Sequence, residues 1–146
     1  MLIWEEDSGS ALKNEEVLRA IEERLGHPFP DSFIAVVKLK NGAYFSKQDF
    51  SVETPEGIEK KSVATLLNLE GSSDEAESML GMWTTLQEEH GIDHAIVPFA
   101  MDGGGNLTCL DFSSGSEPSV VYWQHDAEWP PLQVARNFSS FLDLLV

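Results

Sequence analysis

Apolar residues first recur along the chain with a helical period. From Asn14 to Leu25, the positions Val17, Leu18, Ile21 and Leu25 share one stripe; Asn14 is placed to cap the first turn, and Glu15 and Glu16 suit the positive start of a helix. Gly26 and Pro28 stop this pattern. It restarts near Pro30-Asp31, where Phe33, Ile34, Val37 and Leu39 predict a second helix running to Asn41-Gly42, a pair suited to positive φ. The two helices form an N-terminal hairpin. Between Ala43 and Leu69 the texture changes to short runs, Tyr44-Phe45, Phe50-Ser51-Val52 and Ser62 to Leu66, broken by Pro55 and Gly57; these predict two or three strands. Gly71 to Asp74 reads as a loop. Ala76, Met79, Leu80, Trp83, Leu86 and Gln87 then lie on one stripe of a third helix, with Asp74 available as its cap, Gly91 as its stop and Glu77, Glu88 and Glu89 on its outer face.

Three β-like runs follow, Ala95 to Ala100, Leu107 to Phe112 and Val120 to Trp123, separated by turns rich in Gly and Ser, and they predict an antiparallel meander. Val134, Phe138, Phe141, Leu142 and Leu145 complete a stripe that predicts a closing amphipathic helix. Because the strands follow one another as hairpins rather than alternating with helices, the fold class is α+β. The expected architecture is a mostly antiparallel sheet covered on one face by helices, in a single domain over residues 1–146, with the other face or an edge left free to bind.

Composition narrows the function classes. With 146 residues, 42% hydrophobic and 10% aromatic, the chain can close a core without metal or disulfide support, and no repeat or low-complexity tract divides it. Its 25 Asp and Glu against 9 Lys and Arg give a formal charge of -16. Nucleic acid and anionic membranes are held by clustered cations, so both are excluded as partners, whereas a basic protein would be drawn in electrostatically. The same charge opposes self-pairing through an acidic face, while pairing through an apolar patch stays open. A lone cysteine, Cys109, forms no internal disulfide, and its apolar neighbours suggest a buried inert thiol. The first residues lack a basic start and a signal-length apolar core, and no later stretch is long and apolar enough to span a bilayer; the expected address is the cytoplasm.

Candidate chemistry is sparse. Asp102-Gly103-Gly104-Gly105-Asn106 has the glycines of a phosphate loop, but β-like sequence follows where such a loop needs a helix, and the ligand spacing of a calcium loop is missing, so a hairpin turn is the better account. His90 and His94 have the spacing of a metal pair, but Gly91 interrupts the helix between them and no third ligand stands at a recognisable distance. His125-Asp126 is the best catalytic candidate, since a carboxylate can orient an imidazole as a general base, but no Ser or Cys lies in a recognised nucleophile motif. Of the four tryptophans, Trp83 belongs to the apolar stripe of the third helix. Trp129, in the acidic Pro-flanked run Asp126 to Pro131, suits an interface anchor or a cover over the end of the core.

An ordered set of short motifs resembles the SUKH superfamily, which groups bacterial immunity proteins with fungal Smi/Knr cell-wall regulators. Leu25-Gly26-His27-Pro28-Phe29-Pro30-Asp31-Ser32-Phe33 is similar to its junction between the first two helices, and Asn41-Gly42 to the end of the second. Val97-Pro98-Phe99-Ala100, Asp102 to Asn106 and Leu110-Asp111 look like its central hairpin, Val121 to Asp126 like the next strand and turn, and Ala135 to Leu142 like the start of its terminal helix. Asn137 departs mildly, standing where that family often has Ser. The resemblance implies a non-enzymatic protein that neutralises a bacterial toxin domain, often a nuclease, by occupying it, with no cofactor and no metal. An acidic inhibitor suits a basic nuclease because its carboxylates can replace phosphates. The residues expected to contact a protein partner are Asp102, Asp126, Glu128 and Trp129, taken as exposed acids and an aromatic anchor. Two other readings are a regulatory scaffold of the Smi/Knr type and a hydrolase built on His125 and Asp126.

Overall fold

The structure, a computed structural model, describes residues 3–70, 78–113, 115 and 117–146. Helices α1 (Glu16–Leu25) and α2 (Asp31–Lys40) form the N-terminal hairpin. Asn14 Oδ1 accepts from the Glu16 N–H at 2.9 Å, and Gly26 closes α1 at φ 81°, where its N–H reaches the Glu22 carbonyl. Phe33 and Val37 of α2 are buried, but Leu39, expected to point inward, is 70% exposed. Two residues after buried Val37, at about 100° per residue, Leu39 stands about 200° round the helix from it, on the opposite side.

Two antiparallel strands, β1 (Asp49–Thr54) and β2 (Gly57–Ser62), then make a separate ribbon turned at Pro55-Glu56. The sequence pattern does not mark β2 as a strand: none of its residues is buried, three of the six are charged, and its pairing to β1 rather than an apolar stripe holds it extended. The main sheet has the order β3 (Thr65–Leu66), β4 (Ile96–Met101), β5 (Leu107–Asp111), β6 (Ser119–Trp123) and β7 (Leu132–Ala135), antiparallel throughout.

Val134, expected on the closing helix, instead lies in strand β7. The spacing from Val134 to Phe138 is helical, but the preceding Pro130-Pro131 favours extended backbone and Leu132, Gln133 and Ala135 pair with β6. The last helix, α4 (Phe138–Leu144), starts only after Asn137, whose Oδ1 accepts from the Ser140 N–H at 2.8 Å. Between the sheet strands β3 and β4 runs α3 (Met79–His90), with Ser78 Oγ accepting from the Gly81 N–H at its start; the expected Asp74 cap, Ala76, Glu77 and the Gly71 to Asp74 loop lie outside the described residues.

Alternation along the strands divides the interior in two. One face of the sheet meets α1, α2, α4 and β1, where Phe33, Phe99, Phe138 and Phe141 interlock edge to face at centroid distances of 5.2 to 5.9 Å. A bulge helps to build this core. Pro98 pairs with Cys109 and Ala100 with Thr108, which leaves Phe99 as the extra residue, so Phe99 and Ala100 both enter the same cluster. A proline without an N–H is tolerated in an interior strand at such a break. The helical cover on one face is as the sequence implies, and α3 adds a partial cover on the second face. There Leu86 packs with Ile96, Leu107, Cys109, Val121 and Trp123.

Candidate functional site

The turn between β4 and β5 is built around one carboxylate. Asp102 Oδ1 accepts from the backbone N–H of Gly104 at 2.8 Å and of Asn106 at 2.9 Å, while Oδ2 accepts from Asn106 Nδ2 at 3.1 Å and from the Tyr122 hydroxyl at 3.3 Å. Asp102 is therefore buried, only 9% exposed, and not the exposed contact expected from the sequence. Its lone pairs are directed at the turn, because the glycines bring backbone donors close to it. Gly105 takes φ 88°, a left-handed conformation that a side chain would strain.

Asn106 then ties this turn to the one after β6. Its Oδ1 accepts from the His125 N–H at 3.1 Å and lies 2.8 Å from His125 Nδ1. His125 thus takes its side-chain partner from Asn106, while Asp126 Oδ1 accepts from Gln124 Nε2 at 2.9 Å. The pair singled out as a base and its orienting carboxylate is engaged with two other residues. The bond from Gln124 holds the Asp126 carboxyl below its ordinary range, with smaller help from the charges of His125 and Lys61.

Two unlike depressions flank this joined pair of turns. On the side of the β1–β2 ribbon lies a polar cleft of about 490 Å³, whose lining includes Lys60, Lys61, Asp102, Tyr122, Gln124 and Asp126. Burial, and next the charge of Asp102, push the Tyr122 phenol well above its ordinary range, so it stays protonated as a donor to Asp102. On the α3 side lies an apolar groove of about 410 Å³ between α3 and the second sheet face, lined by Met82, Leu86, Met101, Leu107 and Trp123 with His90 and His125 at its rim. His90 meets the Trp123 ring edge to face at 4.7 Å. His94, its partner in the sequence pattern, stacks instead at 6.0 Å from His27, which lies parallel to Phe112 at 4.7 Å.

Of the other expected contact residues, Asp126 and Glu128 are exposed and Trp129 is half-buried. Trp129 Nε1 is buried and, among the described residues, has no hydrogen-bond partner. The structure therefore places Asp102 and Asp126 on one cleft, and Glu128 and Trp129 are not among the residues that line it. The apolar groove was missed at the sequence level, because residues separated by a helix and two strands converge only in the fold.

Charge is unevenly distributed around these features. Residues 62–135, which include α3, β3 to β6 and both turns, hold twelve of the 25 acidic residues and none of the 9 Lys and Arg. The ion pairs Lys38–Glu15, Lys60–Asp49 and Lys61–Glu59 all lie outside that stretch. This signal was legible in the sequence as a gap in the cations.

Cys109 is fully buried under α3, and burial, with a smaller contribution from Asp111, raises its thiol far above the ordinary range. The folded protein should leave a disulfide thiol reagent such as dithionitrobenzoate unconsumed, with one equivalent reacting on unfolding in urea.

Residues 15–142 match the family model described as SMI1-KNR4 cell-wall, and the chain belongs to that SUKH family. It is similar to the SPbeta prophage-derived uncharacterized protein YokK of Bacillus subtilis (strain 168), with 22% identity over 153 residues that cover 93% of this chain and 76% of that protein. The family is generally non-catalytic and often protein-binding. Among the described residues, no helix is long and apolar enough to cross a membrane.

Proposed function

We propose that this chain is an immunity-type binding protein that neutralises a basic bacterial toxin domain, nucleases included, by direct contact. The observation that carries the reading is the confinement of all Lys and Arg outside residues 62–135, which leaves α3 and the meander strands of a -16 protein without a basic side chain of their own, Lys60 and Lys61 of the ribbon reaching only the polar cleft. Such a field speeds capture of a cationic partner and repels nucleic acid. Membership of a family that includes immunity proteins supports it. The contact surface in this reading includes Asp126, Glu128 and Trp129, with Asp102 acting by shaping the turn that presents Asp126.

The test is a pull-down with the basic C-terminal domain of a large secreted protein encoded beside this gene. The joint substitution Asp126→Lys, Glu128→Lys and Trp129→Ala should weaken binding at least about a hundredfold, since central aromatic and charged contacts each contribute about 1–3 kcal/mol. Unchanged binding by a folded variant would remove these residues from the interface.

The family's fungal regulators support a second reading, a scaffold for cellular proteins. It gains if no toxin-like gene lies nearby and the bound proteins are housekeeping ones.

A further inference from the structure

The groove between α3 and the second sheet face has a chemistry that the acidic surface alone does not explain. The rest of the second face is closed by Leu86 packing on Ile96, Cys109 and Val121, whereas towards the Gly103 to Gly105 turn the apolar side chains of Met82, Met101, Leu107 and Trp123 line an open depression. The two methionines are unbranched and adaptable, which suits a wall that must fit an incoming side chain. On α3, exposed Glu88 and Glu89 directly precede His90 of the lining, while Asp126, next to His125 in sequence, lines the polar cleft instead. Every residue lining the groove comes from the stretch without Lys or Arg, so no basic side chain stands in the lining beside Glu88 and Glu89.

We infer that this groove seats an apolar side chain from a basic segment of the partner protein, with a Lys or Arg of the partner beside that anchor meeting Glu88 and Glu89. The inference rests on the reading of the chain as a binder of basic proteins and locates the anchor point within it. An apolar seat beside this acidic pair selects against both neutral hydrophobic segments, which gain nothing from the acids, and acidic ones, which they repel.

The probe is a synthetic peptide with a central Leu-Phe pair flanked on both sides by Arg, titrated into the full chain with ¹³C-methyl-labelled methionine and ¹⁵N-labelled tryptophan. The Met82 and Met101 methyls and the Trp123 indole N–H should shift saturably. Replacing Leu-Phe by Ser-Ser, or introducing Thr85→Arg at the groove wall, should weaken binding about tenfold or more, while Thr85→Leu should retain it. Methionine spectra of the free variants establish that they are folded.

If the Ser-Ser peptide binds equally well, or shifts appear only elsewhere, such as at the notch formed by Glu5, Glu6, Asp7 and Tyr44, the groove is overturned while the basic-partner reading stands. If the Met82 and Met101 methyls shift with protein concentration alone, a second copy is the occupant and the inference fails. If neither the peptides nor any basic toxin domain binds, the inference and the reading fail together.

Discussion

Replacing Phe99 by alanine lowers the free energy of unfolding by about 3–5 kcal/mol, the range for deleting a large aromatic from a closed core. Phe99 is fully buried and lies 5.9 Å from Phe33, 5.4 Å from Phe138 and 5.8 Å from Phe141, so one truncation removes contacts to α2 and α4 together. Collapse cannot readily refill the space, because the bulge fixes the backbone at this residue between paired Pro98 and Ala100. Urea denaturation checks this: the midpoint should fall with an unchanged slope. The second cluster, around Trp123 and Leu86, lies across the sheet and should keep its near-native packing below the transition. A loss under 1 kcal/mol would mean that the four rings do not form the interlocked centre described.

Asp102→Ala is the second large effect, with an expected cost of about 2–3 kcal/mol, as for removing a charged acceptor from buried donors. The Gly104 and Asn106 amides and the Tyr122 hydroxyl lose their acceptor, and the turn that positions Asn106 under His125 loosens. Asp102→Asn should fall between the two, since one amide oxygen can still accept from the turn but its NH₂ meets the Asn106 NH₂. Tyr122 supplies a pH signature. Its folded pKa is raised, so the stability linked to it is fully present below the ordinary tyrosine range near about 10 and is lost as pH rises above it. Part of that shift comes from the Asp102 charge, so Asp102→Asn should show a shallower alkaline loss than the parent, measured by urea midpoints across that range.

Much of the fold was legible in the sequence where one period dominates. The stripes of α1 and α3, the runs of β4 to β6 and the Asp102 to Asn106 turn all lie close to where hydrophobic spacing and glycine placement put them. The errors have physical reasons. Val134 lies four residues before Phe138, a spacing that fits a helix as well as a strand followed by a helix, and strand pairing decided it. Strand β2 has no apolar alternation to read. Nothing in the α3 stripe tells which face of the sheet it will cover, and that choice creates the groove at Trp123.

The candidate site was less legible, for a related reason. Asp102 and Asp126 share a cleft as their positions on adjacent hairpins suggest, but whether a carboxylate faces solvent or its own turn depends on where the backbone N–H groups converge. His125 and Asp126 are neighbours in sequence but partner Asn106 and Gln124, because adjacent residues in a turn diverge. The family match over residues 15–142 bears out the motif-based resemblance, which rested on turn and core residues and so spoke for fold before function.

Binding to a basic toxin domain is the central claim, and co-purification of the tagged chain from its native host, at low and at high salt, with mass spectrometry of the bound proteins, tests it most directly. The account predicts a secreted-toxin domain rich in Lys and Arg, retained at low salt and substantially released at high salt as the field of a -16 protein is screened. Recovery of neutral or acidic housekeeping proteins alone, held equally at both salt concentrations, would contradict it.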